Sequence, residues 1–272
     1  MTTLDPVTAA ALRRGWDAQQ QPFLPWREEA FDVLAARAHG RVLDLAGGTG
    51  SIAARLTGVE PADVTPAGVV SAGVTLLDFD PVLLEIARVA LGVAVVRADL
   101  SGPGWADGLP RFDSVVAGTA LHHFGPERLR ALYAEIREVL APGGVFANAD
   151  RMPEPAAPAA TAAPAAAAPA AAAPAAAAPA AAAPAAAAPA AAAPASGGSA
   201  AMEAWRSWWR EALAQPALAD AAADRADGES ADFYPPAAWH VDALNSAGFA
   251  HVEVVWRRGD SAVVVAHRDP LI

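Results

Sequence analysis

Between residues 42 and 150, short apolar runs alternate with amphipathic stretches, and no other feature of the chain limits its fold as tightly. The runs are "RVLDLA", "VTLLDFD", "VAVVRADL", "FDSVVAG" and "VFANAD". Each is continuously apolar rather than alternating in polarity, which is the mark of a strand buried on both faces. The stretches between them read as helices. "SIAARL" opens with Ser51 as the expected cap, and "PVLLEIARVAL" follows Asp80 as cap with Pro81 in its first turn. "PERLRALYAEIREVL" places Leu129, Leu132, Tyr133, Ile136, Val139 and Leu140 on one face and stops at "APGG". A loop holding Pro61 and Pro66 joins the first of these helices to the second strand. Upstream, Phe31, Leu34 and Ala35 lie at helical spacing in "PWREEAFDVLAARAHG", with Gly40 as a stop. Strand and helix alternating in this way predict a parallel sheet covered on both faces. The ligand then sits beyond the carboxyl ends of the strands, where strand order reverses.

One segment belongs to no such pattern. Residues 155 to 194 hold 30 alanines, nine prolines and Thr161, with no charge. From Pro164 to Pro194 a proline recurs at every fifth position, and each costs a helix interior about 3 kcal/mol. A membrane-spanning helix is excluded on that ground, and an extended spacer at 153–198 is expected, interrupting a single domain over 1–272. After it, "AMEAWRSWWREALAQ" and "AAWHVDALNSAGF" read as helices, the second stopping at Gly248. "HVEVVWRRGDSAVVVAHR" reads as a hairpin with Gly259 in its turn.

The net charge of −11 argues against nucleic acid or an anionic membrane surface as partner. Cysteine is absent, which removes thiolate nucleophiles and disulfides and fits a reducing cytosol. The N-terminal stretch lacks a basic start followed by an apolar core, so the expected location is cytoplasmic. The six histidines are scattered, and no metal site is expected.

The first strand runs into "DLAGGTGS", a glycine-rich turn of the kind that seats a nucleotide cofactor. Read from Gly48, "GTGSIA" fits the G-x-G-x-x-G/A pattern of a dinucleotide site, which would make the chain an NAD-dependent oxidoreductase. Read from Asp44, the same letters are similar to D-x-G-x-G-x-G, an S-adenosylmethionine signature, with Ala46 in place of its first glycine. Asp78, at the end of the second strand, suits either cofactor, because both present ribose hydroxyls to an acid. Taken together in order, "VLDLAGGTG", "LLDFDP", "RADL", "ALHHF", "LAPGGVF" and the terminal hairpin resemble the class I S-adenosylmethionine-dependent methyltransferases of small-molecule type. The resemblance covers residues 22–152 and, more loosely, 199–268.

That resemblance implies an α/β fold: a doubly wound, Rossmann-like sheet of seven strands, mostly parallel, with a C-terminal antiparallel hairpin. It implies S-adenosylmethionine as cofactor and a small organic molecule as methyl acceptor. A protein that binds the cofactor without transferring its methyl remains a further alternative. Asp44 would lie near the cofactor's ammonium group, with Ala46, Gly48 and Gly50 forming the turn around it. Asp78 would accept from the ribose hydroxyls, Phe79 would pack on adenine, and Asp99, followed by Leu100, would meet the adenine amino group. His122 and His123 stand where a general base would be placed. Asp150 and Arg151, at the end of the fifth strand, are candidates for holding a polar acceptor. Trp205 and Trp209, with Trp208 between them, are candidates for roofing an apolar one.

Overall fold

The computed structural model describes residues 2–58, 73–154, 198–226, 228 and 230–271. The expected loop around Pro61 and Pro66 and the alanine-proline spacer lie outside the described residues. Seven strands form one sheet in the order β3-β2-β1-β4-β5-β7-β6. Strands β1 (Val42–Leu45), β2 (Val74–Asp78), β3 (Ala94–Arg97), β4 (Phe112–Gly118) and β5 (Leu140–Arg151) are parallel. The closing hairpin of β6 (His251–Arg258) and β7 (Ser261–His267) turns at Gly259, whose φ is +56°, and β7 inserts antiparallel against β5. The order reverses between β1 and β4, and the expected ligand edge lies there.

Because the strands are apolar on both faces, the sheet carries a core on each side. One holds Val42, Leu76 and Val116 with α2 (Arg27–Arg37), α4 (Pro81–Leu91) and α6 (Ser199–Leu213). The other holds Leu43, Leu77 and Val115 with α5 (Pro126–Val139) and α8 (Ala237–Ser246). The remaining helices are α1 (Pro6–Gln20), α3 (Ser51–Thr57) and the short α7 (Ala219–Ala223). No described helix is long and apolar enough to cross a membrane.

Two local expectations need correction. Ser51 does not cap α3. Gly50 holds the cap position, and the Ser51 hydroxyl instead accepts from Arg27 Nη2 at 2.6 Å and donates to Asp17. The capping oxygen is supplied by Asp44, whose Oδ2 accepts from the Ala53 backbone N–H at 3.0 Å. Likewise "PGG" does not lead into β5 from outside; it is included within it, and the pairing with β4 shifts register between Phe112 and Ser114.

Candidate functional site

At the reversal point the carboxyl ends of β1, β2, β4 and β5 open onto a cavity of about 470 Å³. Small-molecule sites run from about 300 to 1,000 Å³, so this one suits a nucleoside-sized ligand with a small partner. Of the candidates from sequence, Ala46, Gly48, Asp78, Phe79, Asp99 and Leu100 lie on its wall. So do His122, His123, Asp150, Arg151 and Trp205.

The turn after β1 is built on backbone conformations that favour glycine. Gly48 and Gly50 have φ of +57° and +86°, and a Cβ on Gly50 would come within 2.5 Å of Leu91. Ala46 also has a positive φ, +53°, so the methyl group that negative dihedrals would tolerate is held in the left-handed region. Left-handed geometry costs an L-residue about 1–2 kcal/mol, offset in part by glycine's greater freedom when unfolded. Ala46→Gly is therefore expected to stabilise the fold by about 0.5–1 kcal/mol in urea unfolding, and a neutral or negative result would refute the strain.

Asp44 is fully buried behind this turn rather than on the cavity wall. Burial pushes its carboxyl up to about 7, against the pull of the Ala53 N–H, and Oδ1 has no partner among the described residues. Gly47 is glycine for the same reason: a Cβ there would meet Asp44 and Leu76 at 2.8 Å. Gly50 and Trp209 also lie off the wall.

Asp78 has both oxygens tethered, Oδ2 by Gly48 N–H at 2.9 Å and Oδ1 by Asp80 N–H at 3.0 Å. Burial raises it to about 6, while those two N–H groups favour the ion. An ionised carboxylate has about four acceptor positions, so further donors can still bind. Asp80 is turned away. It caps α4 by accepting from Val82 and Leu83 N–H, and it meets Arg225. Asp99 is exposed and held by the Ser101 N–H and hydroxyl at 2.8 and 2.7 Å.

Across the cavity, the turn Leu121–His123 follows β4. His122 Nδ1 lies 2.9 Å from Asp150 Oδ1, and the His122 backbone N–H donates to Asp150 Oδ2 at 3.2 Å. Burial works against the Asp150 charge, yet the imidazole beside it holds the carboxyl below its usual range. With Nδ1 engaged by the carboxylate, Nε2 is the nitrogen left to work in the cavity. His123 is different: its Nδ1 meets the Ser230 hydroxyl at 2.8 Å, and burial followed by the His122 charge lowers it to about 4. A group so hard to protonate is a poor base near neutral pH.

Further residues line the wall beyond those the sequence singles out. Trp16 and Gln20 come from α1, which packs on α4 and α6. Phe23, Leu24 and Arg27 follow it. The unread signal was Asp5-Pro6, the same cap-then-proline start as Asp80-Pro81, with Asp5 accepting from Val7 and Thr8 N–H. Thr119, at φ +54°, and Tyr234, stacked 4.7 Å from His122, also line the cavity. Of the tryptophans, Trp208 donates to the Leu12 carbonyl in the core, and Trp209 carries Arg225 over its ring at 4.1 Å. Trp205 alone of the three reaches the wall. Among the described residues no cluster of metal-ligating side chains occurs.

A family model described as a methyltransferase domain matches residues 42–144, the span from β1 into β5. A demethylmenaquinone methyltransferase from Thermus thermophilus is 36% identical over 137 residues, 48% of this chain. The match spans 56% of that relative's length. The DhpI–SAH complex is similar at TM-score 0.56 and 17% identity, over 98% of this chain and 96% of that one. An O-methyltransferase family protein from Burkholderia thailandensis gives 0.52 and 17%, over 97% and 63%. At such identities the structures speak for the fold, and the two sequence matches speak for descent. Both lead to one place: residues 42–144 match a methyltransferase domain, and the fold around them is one that solved methyltransferases share.

Proposed function

We propose that the protein transfers a methyl group from S-adenosylmethionine to a hydroxyl of a small organic acceptor. The observation that carries this reading is the paired edge of one cavity. A tethered Asp78 beside a glycine turn stands at one end, and a His122–Asp150 pair at the other. When bound, the cofactor supplies an electrophilic methyl on its sulfonium. Asp78 offers its free acceptor positions to two ribose hydroxyls, Phe79 packs on the base, and Asp99 with Leu100 marks the adenine end. Ala46 and Gly48 let the main chain approach closely. Asp44 acts from beneath the turn, through the Ala53 N–H and its own buried charge, rather than by contact. His122 Nε2 takes the acceptor's proton, and Asp150 stabilises the imidazolium so formed. The surrounding rings, Tyr234 and Trp205 among them, exclude water. We also read the chain as one domain, interrupted at 153–198, acting without nucleic acid or membrane as partner.

Thermal denaturation with S-adenosylhomocysteine and with NAD tests the cofactor. S-adenosylhomocysteine at 100 times its Kd is expected to stabilise the fold by about 2.7 kcal/mol, with no shift from NAD. A shift with NAD alone would restore the oxidoreductase alternative. Binding without product across a panel of hydroxylated acceptors would favour the non-catalytic one.

A further inference from the structure

Resting on the reading of this cavity as a methyl-transfer site, we propose that Arg151 selects an acceptor carrying a carboxylate beside the hydroxyl that is methylated: a planar hydroxylated aromatic acid. The arginines on the cavity wall are Arg27 and Arg151. Arg27 is already neutralised: it lies 3.1 Å from Asp17 and 3.0 Å from Glu28, donates to Ser51, and is buried. Arg151 is not closed in this way. Its side chain is 38% exposed and meets Asp260, itself 59% exposed, at 3.5 Å, the outer limit of a hydrogen bond. A pair so long and so wet holds a guanidinium weakly. An incoming carboxylate offers what Asp260 does not, two parallel short N–H···O bonds in the plane of the guanidinium.

Place and neighbours decide which molecule would bring that carboxylate. Arg151 directly follows Asp150 on β5, and its own backbone N–H donates to Asp150 Oδ1 at 2.8 Å. The guanidinium carbon stands 5.5 Å from the centre of the Tyr234 ring, and the same ring stacks on His122. Base and cation are therefore held by one aromatic side chain on one side of the cavity. A single small acceptor can meet both if its hydroxyl and its charge are carried on a compact frame. Phe124 and Trp205 add flat apolar wall, which favours an aromatic frame over a flexible one. The cofactor end of the cavity is lined by Asp78 and Asp99, which repel an anion, so the carboxylate is confined to the Arg151 end.

Calorimetric titration of 2-, 3- and 4-hydroxybenzoate, each against its uncharged amide, tests this, with and without saturating S-adenosylhomocysteine. At least one acid is expected to bind tenfold or more tightly than its amide. Arg151→Gln should abolish that preference and leave S-adenosylhomocysteine affinity unchanged. Arg151→Lys should keep part of it, and Asp260→Asn, which frees the guanidinium, should strengthen acid binding. No acid preference in the native protein, or a preference that survives Arg151→Gln, would overturn the proposal. An Arg151-dependent preference in a protein that fails to bind S-adenosylhomocysteine would instead leave the anion site standing and remove the cofactor reading.

Discussion

Replacing His122 with glutamine is expected to lower methyl transfer by about 10²–10⁴-fold while S-adenosylhomocysteine binds as before. The residue's backbone N–H still reaches Asp150, so the turn after β4 keeps its anchor. What is lost is the ring nitrogen proposed to receive the acceptor's proton. Asp150→Asn should act in the same direction, because the imidazolium formed during transfer then lacks the buried charge 2.9 Å away. His123→Gln should have much the smaller effect, since burial already keeps that imidazole neutral. The pH profile separates a base from a prop. Above the acceptor's own pKa the hydroxyl ionises unaided, and the His122→Gln enzyme should recover toward the native rate. A uniform loss at all pH values, or no loss, would show that His122 only shapes the wall.

The fold was legible because the apolar runs are long enough and uniform enough to admit one architecture. Asp80-Pro81 announced α4, and the structure has Asp80 capping it. The same signal at Asp5-Pro6 opens α1, yet the helix has a weak apolar stripe, and its value lies in Trp16 and Gln20 reaching a cavity formed by later residues. Ser51 shows where local rules give way. Its hydroxyl is claimed by Arg27 and Asp17, 24 and 34 positions away, and no window around residue 51 contains that information. Tyr234 lies in a stretch without periodicity. Backbone bonds from Ala231 and Phe233 to the carbonyls of His123 and His122 pin that stretch beside the histidines, a pairing visible only after folding. The sign of φ at Ala46 was equally hidden, because alanine is compatible with either sign at a cost. The half of the cavity proposed to hold the cofactor thus follows from residues at strand ends. The half proposed to hold the acceptor is assembled from distant segments.

Asp80 carries the largest expected effect on stability. Reading it as a helix cap alone predicts a loss of about 1 kcal/mol on Asp80→Ala. The structure raises that figure. Asp80 and Arg225 are both buried, with side chains 1% and 8% exposed, and Arg225 Nε donates to Asp80 Oδ2 at 2.8 Å. Nη2 is equally close but off the hydrogen-bonding line, so the pair has one good bond plus charge attraction. Removing the carboxylate leaves a guanidinium against the Trp209 face with no other anion paired to it among the described residues, and breaking a buried pair from one side costs about 3–5 kcal/mol. Asp80→Asn keeps one oxygen for the Val82 and Leu83 N–H groups but places an amide NH2 where Oδ2 accepts from Arg225, so it should restore the cap and not the ion pair. The decisive comparison is the double replacement. Arg225→Met removes the stranded charge and keeps an apolar stem on Trp209, so Asp80→Ala with Arg225→Met should be more stable in urea than Asp80→Ala alone. If the second change adds to the loss instead, Asp80 acts on the fold through α4 and not through Arg225.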